Sequence, residues 1–462
     1  AGADFAALGA DALDLFCAEG PSADILFEAL ALAADHVSPA AARGAPAPAP
    51  VGLSRPGLDH PDPGGAEADA LLPADRRVFD GHRLLQEALA FPARFRFLRL
   101  EGLGPLKAAG QGAKRTLVFH LPRAFPDLAG RLGAEALATN CVPAANLFRT
   151  SADDIPLSPM RTEHQILGDR RAAAYEVHSV LEATVLTEDG RVRPLLPGFA
   201  VAGFGARGTA DAAEGARYHL VRRPRVRATV AEARDPALDL HPGAETFVAV
   251  VDGRGRPSIP GGRTLSLKLM CTNRHLPEHV LLDRGAAPRL SAEMELGAEE
   301  IALAAGPSHP RSPAVEGRRL WDLVSLLSLN HLALVDGTED EQDAAAAALR
   351  ALARLYCADG DERSHALVDA LTRVSTRAAV RRARPAIPRP GDASAPLAFV
   401  RGAEVRLRFD DRAHAAPLLA AALRRFLCGQ AEANAFVEVV MEHGDGRERL
   451  RWPAAAGARP LL

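Results

Sequence analysis

The feature that most constrains the fold is a change of hydrophobic period along the chain. Between about residues 160 and 305 the pattern is that of β-strands: over 264–270, Leu265, Leu267 and Leu269 alternate with polar residues. After residue 316 the apolar residues recur at helical spacing, most clearly over 416–430. This order predicts a multidomain α+β protein, with β-rich, sandwich-like leading domains and a helix-rich α+β C-terminal domain.

The length of the chain sets how many domains to expect. A chain of 462 residues with 48% apolar residues can form about two to four domains, each with its own core. We expect an N-terminal α+β domain over 1–157, a middle β-rich domain over 158–305 and a C-terminal α+β domain over 306–462. Prolines crowd the stretch 43–65, which predicts a surface loop in the first domain, because proline lacks a backbone donor.

Local patterns predict the individual elements. Periodicity and capping residues predict helices over 21–37, 82–90, 320–331, 339–357, 363–377 and 416–430. Alternation predicts strands over 95–100, 115–121, 175–186, 225–230, 246–251, 264–270 and 399–409, and a closing hairpin over 436–441 and 447–452. The stretch 381–396 is rich in arginine and proline and is interpreted as a linker.

Charge and cysteine content exclude several classes of protein. The net charge is −3, so no global positive field attracts nucleic acid or anionic lipid. No apolar stretch approaches the roughly 20 residues of a membrane span, and the acidic first residues are unlike a secretory signal. The five cysteines lie far apart without a CxxC pair, which argues against disulfides and zinc ribbons. We therefore expect reduced thiols in a cytoplasm.

The sequence contains no complete catalytic or phosphate-binding pattern. Residues 203–208 match GxGxxG, but no helix is predicted after them, so a flexible loop is the favoured interpretation. Residues 52–57 do not match GxSxG, and no GxxxxGK[ST] loop is present. The acidic pairs at 153–154 and 299–300 are interpreted as solvated faces. This negative search favours a scaffold over an enzyme, with no cofactor.

One possible metal site gives the competing hypothesis, a metal-dependent hydrolase. Cys271, His275 and His279 are each four residues apart and would form a stripe of ligands on a helix. Pro277 lies between the two histidines and argues against one continuous helix. A loop with a buried thiol and two surface histidines is favoured over zinc.

Two clusters of arginines are candidates for binding acidic partners: Arg217, Arg222, Arg223, Arg225 and Arg227, and Arg377, Arg381, Arg382, Arg384 and Arg389. Nucleic-acid binding would favour interleaved aromatic residues, and apart from Tyr218 the clusters have none. The first cluster is interpreted as a solvated strand face. The second is interpreted as a docking surface for an acidic protein partner.

Several segments in chain order resemble one known family: Asn140-Cys141-Val142-Pro143-Ala144-Ala145-Asn146-Leu147-Phe148, Tyr175-Glu176-Val177-His178-Ser179-Val180, Cys271-Thr272-Asn273-Arg274-His275-Leu276-Pro277, Trp321 to Asn330, Phe399 to Val405, Phe426, and Asn434-Ala435-Phe436. The family is the type VI secretion system baseplate subunit TssF, also called ImpG or VasA. The resemblance covers roughly residues 20–462. Residues 271–277 are the most specific, since the family usually has Cys-Thr-Asn-Arg-Asp-Leu-Pro there.

The resemblance implies a structural role. TssF resembles phage baseplate wedge proteins, and two copies join one TssG, with TssE and TssK, in a wedge. Six wedges surround the VgrG spike, and the sheath and tube grow from that platform. The implied protein is a non-enzymatic scaffold with TssG-like, TssE-like and TssK-like partners and a second copy of itself. It would contact VgrG, sheath and tube indirectly, and would bind no nucleic acid and not insert in the membrane.

The same resemblance implies a place in the cell and a set of structural or interface residues. The protein would lie in a cytoplasmic baseplate docked to the inner-membrane complex of a Gram-negative bacterium. The implied residues are Asn140, Cys141, Pro143, Asn146, Phe148, Cys271, Thr272, Asn273, Arg274, Leu276, Pro277, Trp321, Asn330, Arg401, Gly402, Phe426, Asn434 and Phe436. The family begins with a region, including helices that bundle with partner subunits, that this chain is expected to lack. His275 replaces the usual aspartate and can donate a hydrogen bond.

Overall fold

The computed structural model describes residues 5, 9–18, 20, 22–40, 48–56, 58–59, 70–73, 79–109, 114–158, 160–168, 174–198, 216–225, 243–252, 255–257, 262–278, 290–295, 297, 300–311, 317–327, 339–357, 361–383, 398–431 and 435–456. Several predictions fall on other residues and lie outside this description. They concern the GxGxxG stretch at 203–208, most of the strand over 225–230, His279, Arg384, Arg389, Asn330 and Asn434.

The helices and strands alternate in a mixed α+β order, as predicted. The α-helices are α1 (Ala23–Phe27), α2 (Asp80–Ala90), α3 (Gly104–Ala108), α4 (Arg318–Leu327), α5 (Glu339–Arg354), α6 (Glu362–Asp369) and α7 (Ala416–Gln430). A π-helix (Glu28–Ala33) continues α1, and short 3₁₀ turns cover Pro92–Phe95, Pro126–Leu128 and Ala134–Ala136.

The strands are β1 (Ala12–Cys17), β2 (His36–Pro39), β3 (Gly52–Ser54), β4 (Phe97–Glu101), β5 (Leu117–His120), β6 (Leu137–Thr139), β7 (Phe148–Ser151), β8 (Ile155–Pro156), β9 (His164–Gln165), β10 (Glu176–Thr187), β11 (Val192–Pro194), β12 (Leu196–Pro197), β13 (Arg217–Pro224), β14 (Ala244–Val251), β15 (Gly262–Thr272), β16 (Leu371–Ala383), β17 (Ala398–Phe409), β18 (Ala435–Glu442), β19 (Glu448–Arg451) and β20 (Ala455–Ala456).

Packing groups the chain into two compact units. The first comprises Ala1–Ala144, Ala304–Gly306 and Leu323–Leu462, and the second comprises Ala145–Leu303 and Pro307–Asp322. The three domains expected from the sequence stay a prediction about which parts can fold independently; their ranges are 1–157, 158–305 and 306–462.

The second unit is built from two sheets. One has the order β11-β10-β15-β7, with β8 also paired to β15, and the other has the order β12-β13-β14-β9. Leu265 and Leu269 of β15 and Val248 of β14 are fully buried in one shared core. The alternation over 264–270 therefore forms a central strand, as predicted, but this strand continues to Thr272.

The main core of the first unit is shared by the N-terminal and C-terminal parts of the chain. Its sheets have the orders β3-β4-β1-β6, β2-β5 and β16-β17-β18-β19, with β17 and β18 parallel and β20 paired to β18. Helix α7 is buried almost all around, so it is a central helix rather than an amphipathic one. The Phe426 ring lies 5.4 Å from the rings of Phe79 and His82. Its aromatic neighbours are thus on and beside α2.

The clearest error of the sequence prediction is the helix over 363–377. Asp361 caps α6 by accepting a hydrogen bond from the Ser364 N–H at 3.1 Å, and α6 ends at Asp369. From Leu371 the chain becomes β16, which pairs with β17 along its whole length. The pairing overrides the helical tendency of an Arg/Ala-rich segment. The residues from 381 to 383 are therefore strand and not linker.

Two other predictions near the N-terminus also need correction. The helix predicted over 21–37 ends at Ala33, and residues 36–39 form β2, because they pair with β5. Within the proline-rich stretch, Gly52–Ser54 pairs with β4, and Leu58 is 2% exposed. This stretch therefore contributes to the sheet and the core and is not simply a surface loop.

Candidate functional site

Strand β15 brings together three of the family-like segments. Cys271 lies opposite Phe148 of β7 on one side and opposite Val177 of β10 on the other. The Asn146 Oδ1 accepts a hydrogen bond from the Asn273 N–H at 3.4 Å, and the Phe148 ring lies 5.2 Å from the Tyr175 ring. Segments as far as 127 residues apart in sequence therefore meet at one end of β15.

Arg274 is the central residue of this convergence. It is 7% exposed and has a φ of 56°, a left-handed conformation that is uncommon for any residue except glycine. Its N–H donates to Thr272 Oγ1 at 3.1 Å, and its Nε donates to the Tyr175 carbonyl oxygen at 3.0 Å. The backbone turn thus directs a buried guanidinium back onto β10.

The partner charge of Arg274 is Glu176, the first residue of β10. The Arg274 Nε lies 4.0 Å from Glu176 Oε2, and both side chains are nearly buried. Glu176 Oε1 also accepts a hydrogen bond from the Ala244 N–H at 3.0 Å, which links this carboxylate to the first residue of β14. We call Arg274, Glu176 and the neighbouring Gly243 the Arg274 site. It joins β10 and β15 of one sheet to β14 of the other.

Gly243 makes the close approach at this site possible. Its φ is +73°, and a Cβ there would lie 2.6 Å from Arg274 Nη1 and 2.9 Å from Glu176 Oε2. A larger residue would meet both a strained backbone and the ion pair. Burial lowers the pKa of the nearby Arg222, although the charge of Glu176 opposes this. The Arg222 guanidinium donates a hydrogen bond to the His178 carbonyl oxygen, which lies in the same unit.

The segment 271–277 therefore ends β15 and turns back onto the sheet. Arg274 binds an acidic group and a backbone oxygen, both within the second unit. Leu276 and Pro277 lie in a short helical turn over 276–278, and Leu276 is 37% exposed. The segment 140–148 is divided, since residues up to Ala144 belong to the other unit.

The geometry gives no support to the metal hypothesis. Cys271 is fully buried, and burial raises the pKa of its thiol to about 11, so it is protonated at neutral pH. His275 is 6% exposed and not on the surface as expected. Within the described part of the chain, no three His, Cys, Asp or Glu side chains are grouped closely enough to hold a metal ion.

A separate group of ion pairs lies on one face of the sheet β16-β17-β18-β19. Glu404, Glu438 and Glu442 are each at most 6% exposed, beneath arginines on neighbouring strands. The ion pairs are Arg377–Glu404 at 2.8 Å, Arg406–Glu404 at 2.7 Å, Arg381–Glu438 at 2.5 Å, Arg451–Glu438 at 2.7 Å, Arg406–Glu442 at 2.7 Å and Arg408–Glu442 at 3.0 Å. We call this set the charged ladder.

The charged ladder changes the interpretation of the second arginine cluster. Burial alone would raise the pKa of Glu404, but hydrogen bonds from Arg377 and Arg406 outweigh it and lower the pKa to about 2. Arg377 and Arg381 are thus already neutralised by carboxylates of their own sheet. The docking of an acidic partner on this cluster stays a prediction, with Arg377 and Arg381 already engaged in ion pairs.

The first arginine cluster is also more constrained than a solvated strand face. Arg223 pairs with Glu163 at 2.5 Å, and its guanidinium lies 4.8 Å from the centre of the Phe247 ring. Arg222 is only partly exposed. The Arg223 side chain is therefore held by contacts within the second unit.

The remaining candidates divide into buried and exposed residues. Gly402 lies opposite Phe436, and a Cβ on Gly402 would lie 2.3 Å from the Phe436 carbonyl oxygen, so glycine permits this close strand pairing. Phe426 is fully buried. Trp321, on α4, is 73% exposed, and Arg401 is also exposed. Within the described residues, no helix is long and apolar enough to cross a membrane.

Sequence reasoning missed the acidic partners at both sites. Glu176 lies in a family-like segment, but its role and that of Gly243 cannot be deduced from a single sequence, because both depend on a residue far along the chain. The ladder had a visible signal: over 404–408, charged residues alternate with Val405 and Leu407, which is typical of a strand with one charged face.

Comparisons with known proteins agree with the resemblance seen in the sequence. The family model described as "Type VI secretion system, TssF" matches residues 1–459. The type VI secretion system component TssF1 of Pseudomonas aeruginosa is 36% identical over 401 residues, which cover 86% of this chain. The chain spans 61% of the length of that curated relative.

A solved structure shares the fold. It is a type VI secretion system TssK-TssF-TssG baseplate subcomplex determined by cryo-electron microscopy. The match has a TM-score of 0.67 at 22% identity and covers 98% of this chain and 76% of the matched chain. On the family model and the curated relative together, the chain belongs to the TssF family of the type VI secretion system.

Proposed function

We propose that the protein is a structural scaffold subunit of a type VI secretion baseplate wedge, supporting sheath and tube assembly for contractile effector delivery. The observation that carries this proposal is the family match over residues 1–459. The geometry supports it, because the side chains of the most specific segment make internal contacts. Asn273 and Arg274 bond to the segments at Asn146 and Tyr175, and Thr272 accepts the Arg274 N–H within the turn. We propose no catalytic turnover and no cofactor.

The partners follow from the same proposal. The similar solved structure contains TssK and TssG, which supports a TssG-like and a TssK-like subunit as direct partners. A TssE-like subunit, a second copy of the chain, and indirect contact with the VgrG spike, sheath and tube complete the proposed wedge. The proposed location is a cytoplasmic baseplate docked to the inner-membrane complex of a Gram-negative bacterium.

Helix α4 offers one surface for such a partner. Trp321 and Leu320 are 73% and 41% exposed. Exposed tryptophans are frequent energetic anchors of protein interfaces, because they bury a large apolar area on binding. Trp321 is therefore a suitable residue for testing assembly.

The test is co-expression of the chain with the TssG-like and TssK-like subunits of the same bacterium, followed by size-exclusion chromatography. We expect the proteins to co-elute, and we expect Trp321→Ala to weaken the complex while the free chain keeps its melting temperature. Leu303→Ala, a truncation at another exposed apolar residue, is the matched control. Failure of the wild-type chain to bind either subunit would contradict the proposal.

A metal measurement separates the scaffold from the hydrolase hypothesis. We expect no stoichiometric zinc in the purified protein by elemental analysis. One equivalent of zinc that is lost in a Cys271→Ala variant would instead support the hydrolase.

A further inference from the structure

The end of the β16–β17 pair near Ala383 and Ala398 carries apolar side chains beyond the core. In these paired strands Val374 lies opposite Leu407 and faces the core, and Val380 and Phe399 lie farther along the same face. Val380 is 53% exposed and Phe399 is 69% exposed. At about 3.3 Å per residue, Phe399 is roughly 26 Å along the strand from Leu407. The hairpin thus extends an apolar surface past the point where α7 and α5 are packed.

Two arginines lie on this same face of the hairpin. Arg382 is opposite Phe399, with its guanidinium 5.5 Å from the centre of the ring, and Arg401 is opposite Val380. Both are exposed. Among the residues that the structure describes, neither has a carboxylate partner. We call Val380, Arg382, Phe399 and Arg401 the hairpin patch.

The contrast with the other face of the sheet indicates what the patch can bind. There each arginine of the charged ladder is paired with a nearly buried glutamate of the same sheet. On the hairpin patch, no carboxylate of the described part of the chain pairs with the two arginines, which flank an exposed phenylalanine. An arginine over an aromatic ring keeps its outer N–H groups available to a carboxylate.

We propose that the hairpin patch is a docking surface for a segment of a protein partner that carries an apolar side chain flanked by carboxylates. The inference rests on the proposed function only in taking that partner from the baseplate. Such a segment covers Phe399 and Val380 with its apolar side chain and neutralises Arg382 and Arg401 with its carboxylates. Nucleic acid is a poorer fit, because two arginines neutralise few phosphates and the chain has a net charge of −3.

The experiment measures binding of the purified chain to overlapping 15-residue peptides that cover the TssG-like and TssK-like subunits, and to the intact subunits. We expect the bound peptides to combine aspartate or glutamate with large apolar residues. Phe399→Ala and the double variant Arg382→Glu/Arg401→Glu should each weaken binding by about tenfold or more. Arg382→Lys/Arg401→Lys should retain part of the affinity, and binding by the wild type should weaken as salt is raised.

The matched control is Arg412→Glu, an exposed arginine just beyond the opposite end of β17, which should leave binding unchanged. Since all these side chains are exposed, circular dichroism melts should show the variants folded. A peptide with its acidic residues changed to lysine should bind the double variant better than the wild type.

The outcomes distinguish this inference from the proposed function. If the intact subunits bind every variant as tightly as the wild type, the patch is not the docking surface, and the scaffold role stands. If the wild-type chain binds neither subunit, both proposals fail. If the same variants instead abolish a concentration-dependent dimer seen by light scattering, the occupant is a second copy, and the acidic-segment inference is overturned.

Discussion

Replacing Arg274 by alanine tests whether the Arg274 site holds the ends of β10, β14 and β15 together. The Arg274 and Glu176 side chains are 4% and 10% exposed. After the substitution, Glu176 keeps the Ala244 N–H and the nearby Arg222 but loses the Arg274 guanidinium. Breaking a buried ion pair by removing one partner costs about 3–5 kcal/mol, so we expect the free energy of local opening to fall by up to that amount.

Hydrogen exchange followed by mass spectrometry measures this loss where it occurs. Because about 1.4 kcal/mol corresponds to a factor of ten, peptides from 174–187, 243–251 and 262–272 should exchange about 10²–10⁴ times faster. Peptides from α7 should be unaffected. Exchange within about threefold of the wild type in all three strands would refute the reasoning, because local opening would then not depend on the ion pair.

Three further variants define the cause of the effect. Arg191→Ala removes a solvent-exposed ion pair to Asp189 in the same unit and should leave exchange within about threefold of the wild type. Arg274→Gly relieves the left-handed backbone conformation and should be less destabilised than Arg274→Ala by about 1 kcal/mol. The double variant Glu176→Leu/Arg274→Met should cost less than the two single changes added together.

Other predictions concern the first unit. Gly402→Ala should destabilise it by about 1–3 kcal/mol in urea unfolding, since a Cβ would lie 2.3 Å from the Phe436 carbonyl oxygen; an unchanged midpoint would show that the strands can separate without cost. Phe426→Ala should cost about 3–5 kcal/mol and lower the melting temperature, because the fully buried ring packs on Phe79, and an equally heat-stable variant would contradict that packing. The pKa of Glu404 is lowered from 4.5 to about 2, so its stabilising contribution is complete above about pH 4.5 and is lost as the pH falls toward 2. Acid unfolding of Glu404→Gln should therefore depend less on pH over this range than that of the wild type, and identical curves would argue against the role of this carboxylate.

The sequence by itself determined the elements whose hydrophobic period is strong and local. The alternating leucines of β15, the strand β17 and the Ala/Leu-rich α7 all lie where their patterns predict them, because each pattern reports only which side of an element is apolar. The ordered family-like segments also identified the family without any structure, since a match in order depends on residue identity and not on contacts.

The tertiary structure alone decided which distant residues meet. Residues 371–383 have a composition that suits a helix, and only the presence of β17 beside them makes a strand more favourable. The same holds for Glu176 with Arg274 and for Glu438 with Arg381: each charge looks like a surface residue until strand pairing places a partner next to it. Local period is encoded within a few neighbouring residues, whereas strand pairing and ion pairing depend on segments far apart in the chain, which one sequence does not specify.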